Sequence, residues 1–293
     1  MNHSAHHSTN AALPVVLTIA GFDPSGGAGI AADLKTFAAH NCYGVAALTA
    51  LTIQNTQGVT ASHAAPFASL RECIQSLFDD SPIRAVKIGM LATRSNAEVV
   101  AETLDAHPDL PSVLDPVWRS SSGAPLLDET GFAYLRANLL SRASVVTPNL
   151  EEAAELTHLK VEDVNGMRVA ASTLIEMGAR AVVVTGGHLA DKAPDKAIDV
   201  FADETGIETF VGERMKPENT HGTGCAFSSA VAANLALGRR LRESIMLAKA
   251  YVAEAIRRAY PTGGGRLPLN HFYRVQESPR VTDHAPALAE TAH

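Results

Sequence analysis

The sequence predicts an α/β protein with a mostly parallel central sheet that is covered by helices on both faces. Three observations support this prediction: the chain has 293 residues, 46% of them are hydrophobic, and short β-branched runs alternate with longer amphipathic ones. Strands that are buried on both faces read as continuous Val, Ile and Ala runs, as these do. A chain of this length and composition can bury a large core, which excludes disordered and fibrous proteins.

The predicted elements follow one another in βα order. Apolar runs predict strands at residues 15–20, 45–52, 85–88, 112–114, 144–146 and 181–184. Amphipathic periodicity predicts helices at residues 29–39, 66–78, 96–106, 130–140, 164–177, 223–236 and 241–259. Residues 197–201 and 207–211 flank a turn and predict an antiparallel hairpin at the edge of the sheet. We expect a single domain over residues 14–275, between flexible tails at 1–13 and 276–293.

Charge and cysteine content narrow the classes of function. The formal net charge is -7, and Lys and Arg form no cluster that could bind nucleic acid. The cysteines at 42, 73 and 225 are widely spaced, which argues against a disulfide framework and fits a reducing cytoplasm. No run approaches the roughly 20 apolar residues that a membrane span requires. We therefore expect a cytoplasmic protein with a small-molecule ligand, and neither nucleic acid nor a membrane as a partner.

The segment His221–Cys225 has the sequence HGTGC and precedes a run of small residues that predicts a helix. Small residues allow consecutive backbone N–H groups to approach a ligand, and the positive end of the helix would face the same point. We therefore expect Gly222, Thr223 and Gly224 to bind an anion. A thiol at a helix start often has a lowered pKa, so Cys225 could accept a proton near neutral pH. An ordinary glycine-rich turn is the alternative that this segment leaves open.

Polar residues follow the predicted strands, and α/β sheets bind their ligands at the carboxyl ends of strands. Residues 21–29, GFDPSGGAG, form a glycine-rich loop that fits neither a P-loop nor a dinucleotide fingerprint. The amide of Gln54 could form hydrogen bonds with the edge of an aminopyrimidine, or it could only form hydrogen bonds with the backbone of a turn. Asp115 could hold magnesium or balance charge. Asn149 and Glu152 could act at the ligand or could simply cap a helix.

Seven motifs occur along the chain in this order: AGFDPSGGAGIAADLKTF, LTIQNTQGV, KIGML, LDPV, TPNLEEA, TGGH and NTHGTGC. In order and spacing they resemble the hydroxymethylpyrimidine/phosphomethylpyrimidine kinases of thiamine biosynthesis. These kinases belong to the ribokinase-like superfamily, so the resemblance implies a three-layer fold with a small antiparallel edge hairpin. GTGC separates them from sugar kinases, which have Asp at the place of the cysteine.

The resemblance implies two successive ATP-dependent phosphorylations of 4-amino-5-hydroxymethyl-2-methylpyrimidine, first to its monophosphate and then to its diphosphate. It also implies Mg2+ as a cofactor and a homodimer. The pyrimidine would be bound by Gln54, Asp33, Gly21, Met90 and Val117. The catalytic residues would be Cys225, Gly222, Thr223 and Gly224, with Cys225 as the proton acceptor. ATP would be bound by Asn149, Glu152, Thr185 and Gly187, and the metal by Asp115 and Glu152.

The chain departs from the family pattern at Thr185, where relatives often have Lys. This substitution removes an expected contact with the phosphates of ATP, and Lys87 or Arg119 could replace it. Two other functions stay open. One is a pyridoxal kinase of the same superfamily, whose substrate is also an aromatic heterocycle with a hydroxymethyl group. The other is a ligand-binding protein without enzymatic activity, which the combination of HGTGC with Asn149 and Glu152 disfavours.

Overall fold

The computed structural model describes residues 12–276, apart from 121, 188, 190–194, 217 and 218. The strands are β1 (Val15–Phe22), β2 (Tyr43–Asn55), β3 (Gly58–Ala64), β4 (Ile83–Ile88), β5 (Ser112–Leu114), β6 (Val145–Val146), β7 (Ala181–Thr185), β8 (Lys196–Asp203), β9 (Gly206–Glu213), β10 (Thr220–His221) and β11 (Leu267–Pro268). The helices are α1 (Gly29–Ala39), α2 (Phe67–Asp80), α3 (Arg94–Ala106), α4 (Glu129–Tyr134), α5 (Leu150–Thr157), α6 (Val164–Glu176), α7 (Thr223–Ala236), α8 (Leu241–Arg257) and α9 (Tyr273–Gln276). A π-helical turn, Leu135–Leu139, continues α4. The βα order that the sequence predicts is confirmed.

Nine strands form one sheet in the order β3-β2-β1-β4-β5-β6-β7-β8-β9. The six strands from β2 to β7 in this order are parallel. The predicted edge hairpin is confirmed as β8 and β9, which are antiparallel. The opposite edge carries an unpredicted antiparallel strand, β3, whose residues are exposed or only partly buried. We expected Gln54 to follow the second strand, but β2 extends to Asn55 and Gln54 lies within it.

Two apolar clusters lie on opposite faces of the sheet, as a three-layer fold requires. In β1, Leu17 and Ile19 belong to one cluster and Val16 to the other, which is the two-residue period of a strand. Helices α2, α3, α5 and α6 pack on the Leu17 side, and α1, α7 and α8 pack on the Val16 side. The buried face of α7 consists largely of small residues such as Ala226 and Ala230. These residues let α7 lie close to β1, β4 and β5, which brings the start of α7 to the carboxyl ends of the central strands.

No helix in the described part of the chain has both the length and the apolar character that a membrane span needs. The predicted tails, 1–13 and 276–293, lie almost wholly outside the described residues. The boundaries of a single domain at 14 and 275 stay a prediction.

Candidate active site

A cavity of about 410 Å3 opens at the carboxyl ends of the parallel strands. It brings together most of the residues that the sequence singled out for a role in binding or catalysis. Those that line it are Gly21, Gln54, Met90, Asp115, Val117, Asn149, Glu152, Thr185, Gly222, Thr223, Gly224 and Cys225. Two predicted site residues, Asp33 and Gly187, lie outside this lining. Gly187 is exposed, and its carbonyl oxygen accepts a hydrogen bond from Arg214.

Asp33 lies beneath the cavity and is completely buried. Its carboxylate accepts hydrogen bonds from Thr18 Oγ1 at 2.6 Å and from Ser229 Oγ at 2.7 Å. The Nζ atom of Lys87 donates a third, at 3.0 Å. Donors from the protein therefore already contact both oxygens of Asp33 below the cavity, and a direct role of Asp33 in pyrimidine binding stays a prediction.

Lys87 forms a fully buried ion pair with Asp33, since neither side chain has any exposed surface. Burial, the largest single effect, would lower the pKa of Lys87, but the charge and hydrogen bond of Asp33 together with other nearby groups raise it above its ordinary value. The negative charge of Asp115 acts in the same direction. Lys87, one possible replacement for the Lys that relatives have near Thr185, lines the cavity and is held in this ion pair. Arg119, the other possible replacement, lines the cavity.

Cys225 lies in the first turn of α7, as expected, but its pKa is not lowered. Burial raises the pKa of the thiol to about 12; Lys87 opposes this shift, and the carboxylates of Asp115 and Asp33 add to it. The lowered pKa that the helix start suggests is therefore not found, and the thiol keeps its proton at neutral pH. That thiol donates a hydrogen bond to the carboxylate of Asp115.

Two buried carboxylates, Asp115 and Glu152, lie close enough to influence each other. Burial raises the pKa of Asp115 to about 6, while Lys87 opposes this shift and Asp33 adds to it. Burial and the charge of Asp115 also raise the pKa of Glu152 well above its ordinary value. Such a pair favours a cation, because a divalent ion would remove the repulsion between the two groups.

The described residues hold no group of three or more potential metal ligands. Magnesium usually needs only one or two carboxylates, since phosphates and water complete its coordination. Asp115 and Glu152 therefore fit the residues expected to hold Mg2+. Glu152 also forms a complete capping box with Asn149 at the start of α5, so capping is present as well.

The HGTGC segment is shaped by Gly222, which caps α7 with a φ of 82° in the left-handed region. A Cβ at this position would collide with the carbonyl oxygen of Gly27, so the segment packs directly on the glycine-rich loop at 21–29. The first N–H groups of a helix have no partner within the helix. Residues 222–225 at the start of α7 line the cavity, which is the placement that a site for phosphoryl oxygens requires.

Sequence reasoning assigned no role to His221 or Asp23, although both line the cavity. The Nε2 atom of His221 lies 2.9 Å from Nε2 of Gln54 and 3.1 Å from Oδ2 of Asp23. Burial raises the pKa of Asp23, but hydrogen bonds from His221 and Ser25 outweigh it and keep this pKa below the ordinary value. The three residues are far apart in the chain, so only the position of His221 beside GTGC could have signalled a role.

The model of the phosphomethylpyrimidine kinase family matches residues 23–270 of the chain. The chain belongs to this family. It is 41% identical to the hydroxymethylpyrimidine/phosphomethylpyrimidine kinase of Streptomyces coelicolor, over 90% of this chain and 96% of that protein. It is 43% identical to the thiamine biosynthesis bifunctional protein ThiED of Geobacter sulfurreducens, over 89% of this chain. The match covers 53% of ThiED, so the chain spans about half of that relative.

Solved structures confirm the ribokinase-like fold. The pyridoxal kinase from Staphylococcus aureus in complex with AMP-PCP matches with a TM-score of 0.81 and 33% identity, over 89% of this chain and 94% of that one. The phosphomethylpyrimidine kinase from Clostridium difficile 630 matches with a TM-score of 0.72 and 37% identity, over 83% of this chain and 99% of that one. Both kinds of vitamin kinase therefore share the architecture described above.

Proposed function

We propose that this protein is an ATP-dependent kinase that phosphorylates 4-amino-5-hydroxymethyl-2-methylpyrimidine and then its monophosphate. One observation carries the proposal: a single cavity joins an amide and apolar wall, suited to a small heterocycle, to the HGTGC segment at the start of α7. Membership of the phosphomethylpyrimidine kinase family supports it.

The heterocycle end of the cavity is formed by Gln54, Met90, Val117 and Gly21. A Cβ on residue 21 would lie 2.6 Å from the sulfur of Met90, so glycine leaves room for this thioether. A polarisable sulfur packs well against an aromatic ring. The amide of Gln54 offers one acceptor and two donors in a plane, which matches an amine beside a ring nitrogen.

In the transfer step, the hydroxymethyl oxygen attacks the γ-phosphorus of ATP, and the bond to the oxygen that leaves with ADP breaks. Negative charge on the migrating group would be stabilised by the N–H groups of Gly222, Thr223 and Gly224. We propose that Asn149 and Thr185, which form a β-bridge beside the cavity, contact ATP together with Arg119. When held by Asp115 and Glu152, Mg2+ would neutralise phosphate charge.

Proton removal from the hydroxymethyl group needs more than Cys225 alone, because its thiol is neutral. We propose that Cys225 takes this proton while its own proton passes to Asp115, along the hydrogen bond that joins them. A pKa of about 6 leaves Asp115 mostly ionised at pH 7, so it can accept the proton. A carboxylate has two oxygens and can serve a cation and a thiol together.

A pyridoxal kinase is the second candidate, because a pyridoxal kinase from Staphylococcus aureus solved in complex with AMP-PCP and pyridoxal matches with a TM-score of 0.80. The two candidates are separated by incubating the purified protein with ATP, Mg2+ and each heterocycle, and following ADP and product mass. We expect mono- and diphosphate of the pyrimidine. Phosphorylation of pyridoxal alone would refute the proposal, and no turnover with either substrate would indicate a binding protein.

We also propose a homodimer in the cytoplasm, where ATP is available and where the described cysteines stay free. Strand β2 supports an interface, because Tyr43, Leu51 and Ile53 expose 62%, 43% and 49% of their surface. Light scattering after size exclusion should give twice the mass of the chain. The variant Leu51→Asp should shift the mass toward that of a monomer, whereas an unchanged dimer would place the interface elsewhere.

A further inference from the structure

On the side of the Gln54 amide that faces Thr52, two acceptors compete for one hydroxyl hydrogen. The Oγ1 atom of Thr52 lies 2.9 Å from the carbonyl oxygen of Phe22 and 3.1 Å from Oε1 of Gln54. Both partners are acceptors, but a hydroxyl group has one hydrogen to donate. Thr52 is only 3% exposed, so one of the two acceptors would be left without a donor at that atom.

A second mismatch lies on the other side of the same amide. Asp23 is 3% exposed, and its carboxylate accepts hydrogen bonds from the backbone and hydroxyl of Ser25 and from the backbone of Ala28. A carboxylate in this setting only accepts, so the facing Nε2 atom of His221 must carry a proton. The same Nε2–H then faces the NH2 group of Gln54 at 2.9 Å, which places two donors opposite each other.

Rotating the amide of Gln54 by half a turn lets Thr52 donate only to Phe22 and removes the two opposed donors at His221. The oxygen and nitrogen of an amide are alike in size, so the rotation keeps its shape and changes only its hydrogen bonds. The NH2 group then donates to Thr52, whose hydroxyl donates to Phe22. The Nε2–H of His221 then lies between two acceptors, the amide oxygen and Oδ2 of Asp23, which share its one hydrogen. One N–H and one lone pair of Gln54 remain for a ligand.

We propose that His221 is a positioning residue that fixes the amide of Gln54 in this orientation and thereby selects an aminopyrimidine. The fixed amide presents an acceptor for the exocyclic amine and a donor for the adjacent ring nitrogen. Pyridoxal has no such amine, so the amide oxygen would stay unpaired, and an unpaired buried group weakens binding of the wrong substrate. The identity of the heterocycle rests on the proposed function, whereas the coupling of His221 to Gln54 does not.

The ring of His221 is well placed for this role. It belongs to β10, which pairs with β11, and a Cβ on Gly27 would lie 2.7 Å from its Cδ2 atom. The strand pairing fixes the backbone of His221, and the close approach of Gly27 restricts its ring. His221 acts on the ligand through Gln54 and directly precedes Gly222, the cap of α7.

The test compares His221→Phe, His221→Gln, Gln54→Ala and the double variant His221→Phe/Gln54→Ala in the full chain. Phe keeps the ring without the N–H group, whereas Gln can place an N–H near the position of Nε2. We expect His221→Phe to raise KM for the pyrimidine about tenfold, with kcat changed less than about threefold. In His221→Gln, KM should return close to the wild-type value. The double variant should be no worse than Gln54→Ala, since His221 acts through that amide.

The proposal would be overturned if His221→Phe lowered kcat as much as it raised KM, or if His221→Gln gave no rescue. It would also be overturned if the effects of the two substitutions added in the double variant. Should His221→Phe fail to fold, Thr52→Val removes the other anchor of the amide and should also raise KM without lowering kcat. If the wild type phosphorylates only pyridoxal, the proposed function is wrong, and the same cycle with pyridoxal still decides the coupling. In any case, 15N NMR of the wild type should show a proton on Nε2 of His221, and a proton on Nδ1 alone would refute the assignment.

Discussion

Replacing Lys87 by Met tests whether the buried ion pair with Asp33 supports the floor of the site. Both side chains are fully buried and 3.0 Å apart, so the variant leaves a carboxylate in the interior without its cation. Removing one partner of such a pair typically costs about 3–5 kcal/mol. For a domain of this size, each kcal/mol of lost unfolding free energy lowers Tm by about 2–4 °C, so Tm should fall by about 6–20 °C.

The surface pair Arg71 and Glu102 provides a matched control, because its side chains are 47% and 59% exposed. Arg71→Met should cost at most about 1 kcal/mol. A second control, Lys87→Met/Asp33→Asn, removes both charges and keeps a side chain that Thr18 and Ser229 can bind. It should recover much of the loss.

Thermal unfolding followed by circular dichroism measures all of these variants at pH 7. A fall in Tm for Lys87→Met that is no larger than that for Arg71→Met would refute the reasoning. So would a double variant that is no more stable than Lys87→Met, because the loss would then come from packing and not from the uncompensated charge.

Three further predictions concern catalysis. Cys225→Ala should lower kcat about 100-fold to 10,000-fold and change the Kd for the pyrimidine less than threefold by calorimetry; weaker binding with unchanged kcat would refute the proton role. Asp115 must be ionised to accept a proton, so kcat/KM should fall as the pH decreases through about 6, and a flat profile from pH 5 to 8 would contradict the transfer. Glu152→Gln should raise the Mg2+ concentration needed for half-maximal rate, and an unchanged Mg2+ titration would remove Glu152 from the metal site.

The fold was largely predictable, because most of the parallel strands are buried on both faces and therefore read as apolar runs. Strand β3 escaped prediction for the opposite reason: its sequence, GVTASHA, has no residue that is fully buried. It joins the sheet through backbone hydrogen bonds to β2, which leave little trace in side-chain composition. The same pairing carries β2 past Thr52, so that Gln54 lies within the strand.

The lining of the site was also predictable, since residues after parallel strands meet at one edge of a sheet. The protonation state and the hydrogen-bond partners of each residue were not predictable. The position of Cys225 at a helix start predicts a lowered pKa, but burial beside Asp115 and Asp33 outweighs it. Asp33 lies one helical turn into α1 and points below the cavity, toward Lys87. These partners come from distant parts of the chain, and sequence spacing does not specify such contacts.

The two ends of the site are joined more closely than a string of motifs suggests. The glycine-rich loop at 21–29 contacts HGTGC twice, through Gly27 against Gly222 and through Gly27 against His221. Asp23 of the same loop holds the ring of His221, which in turn contacts Gln54. The residues that would recognise the heterocycle and those that would hold the phosphoryl group are thus parts of one packed unit.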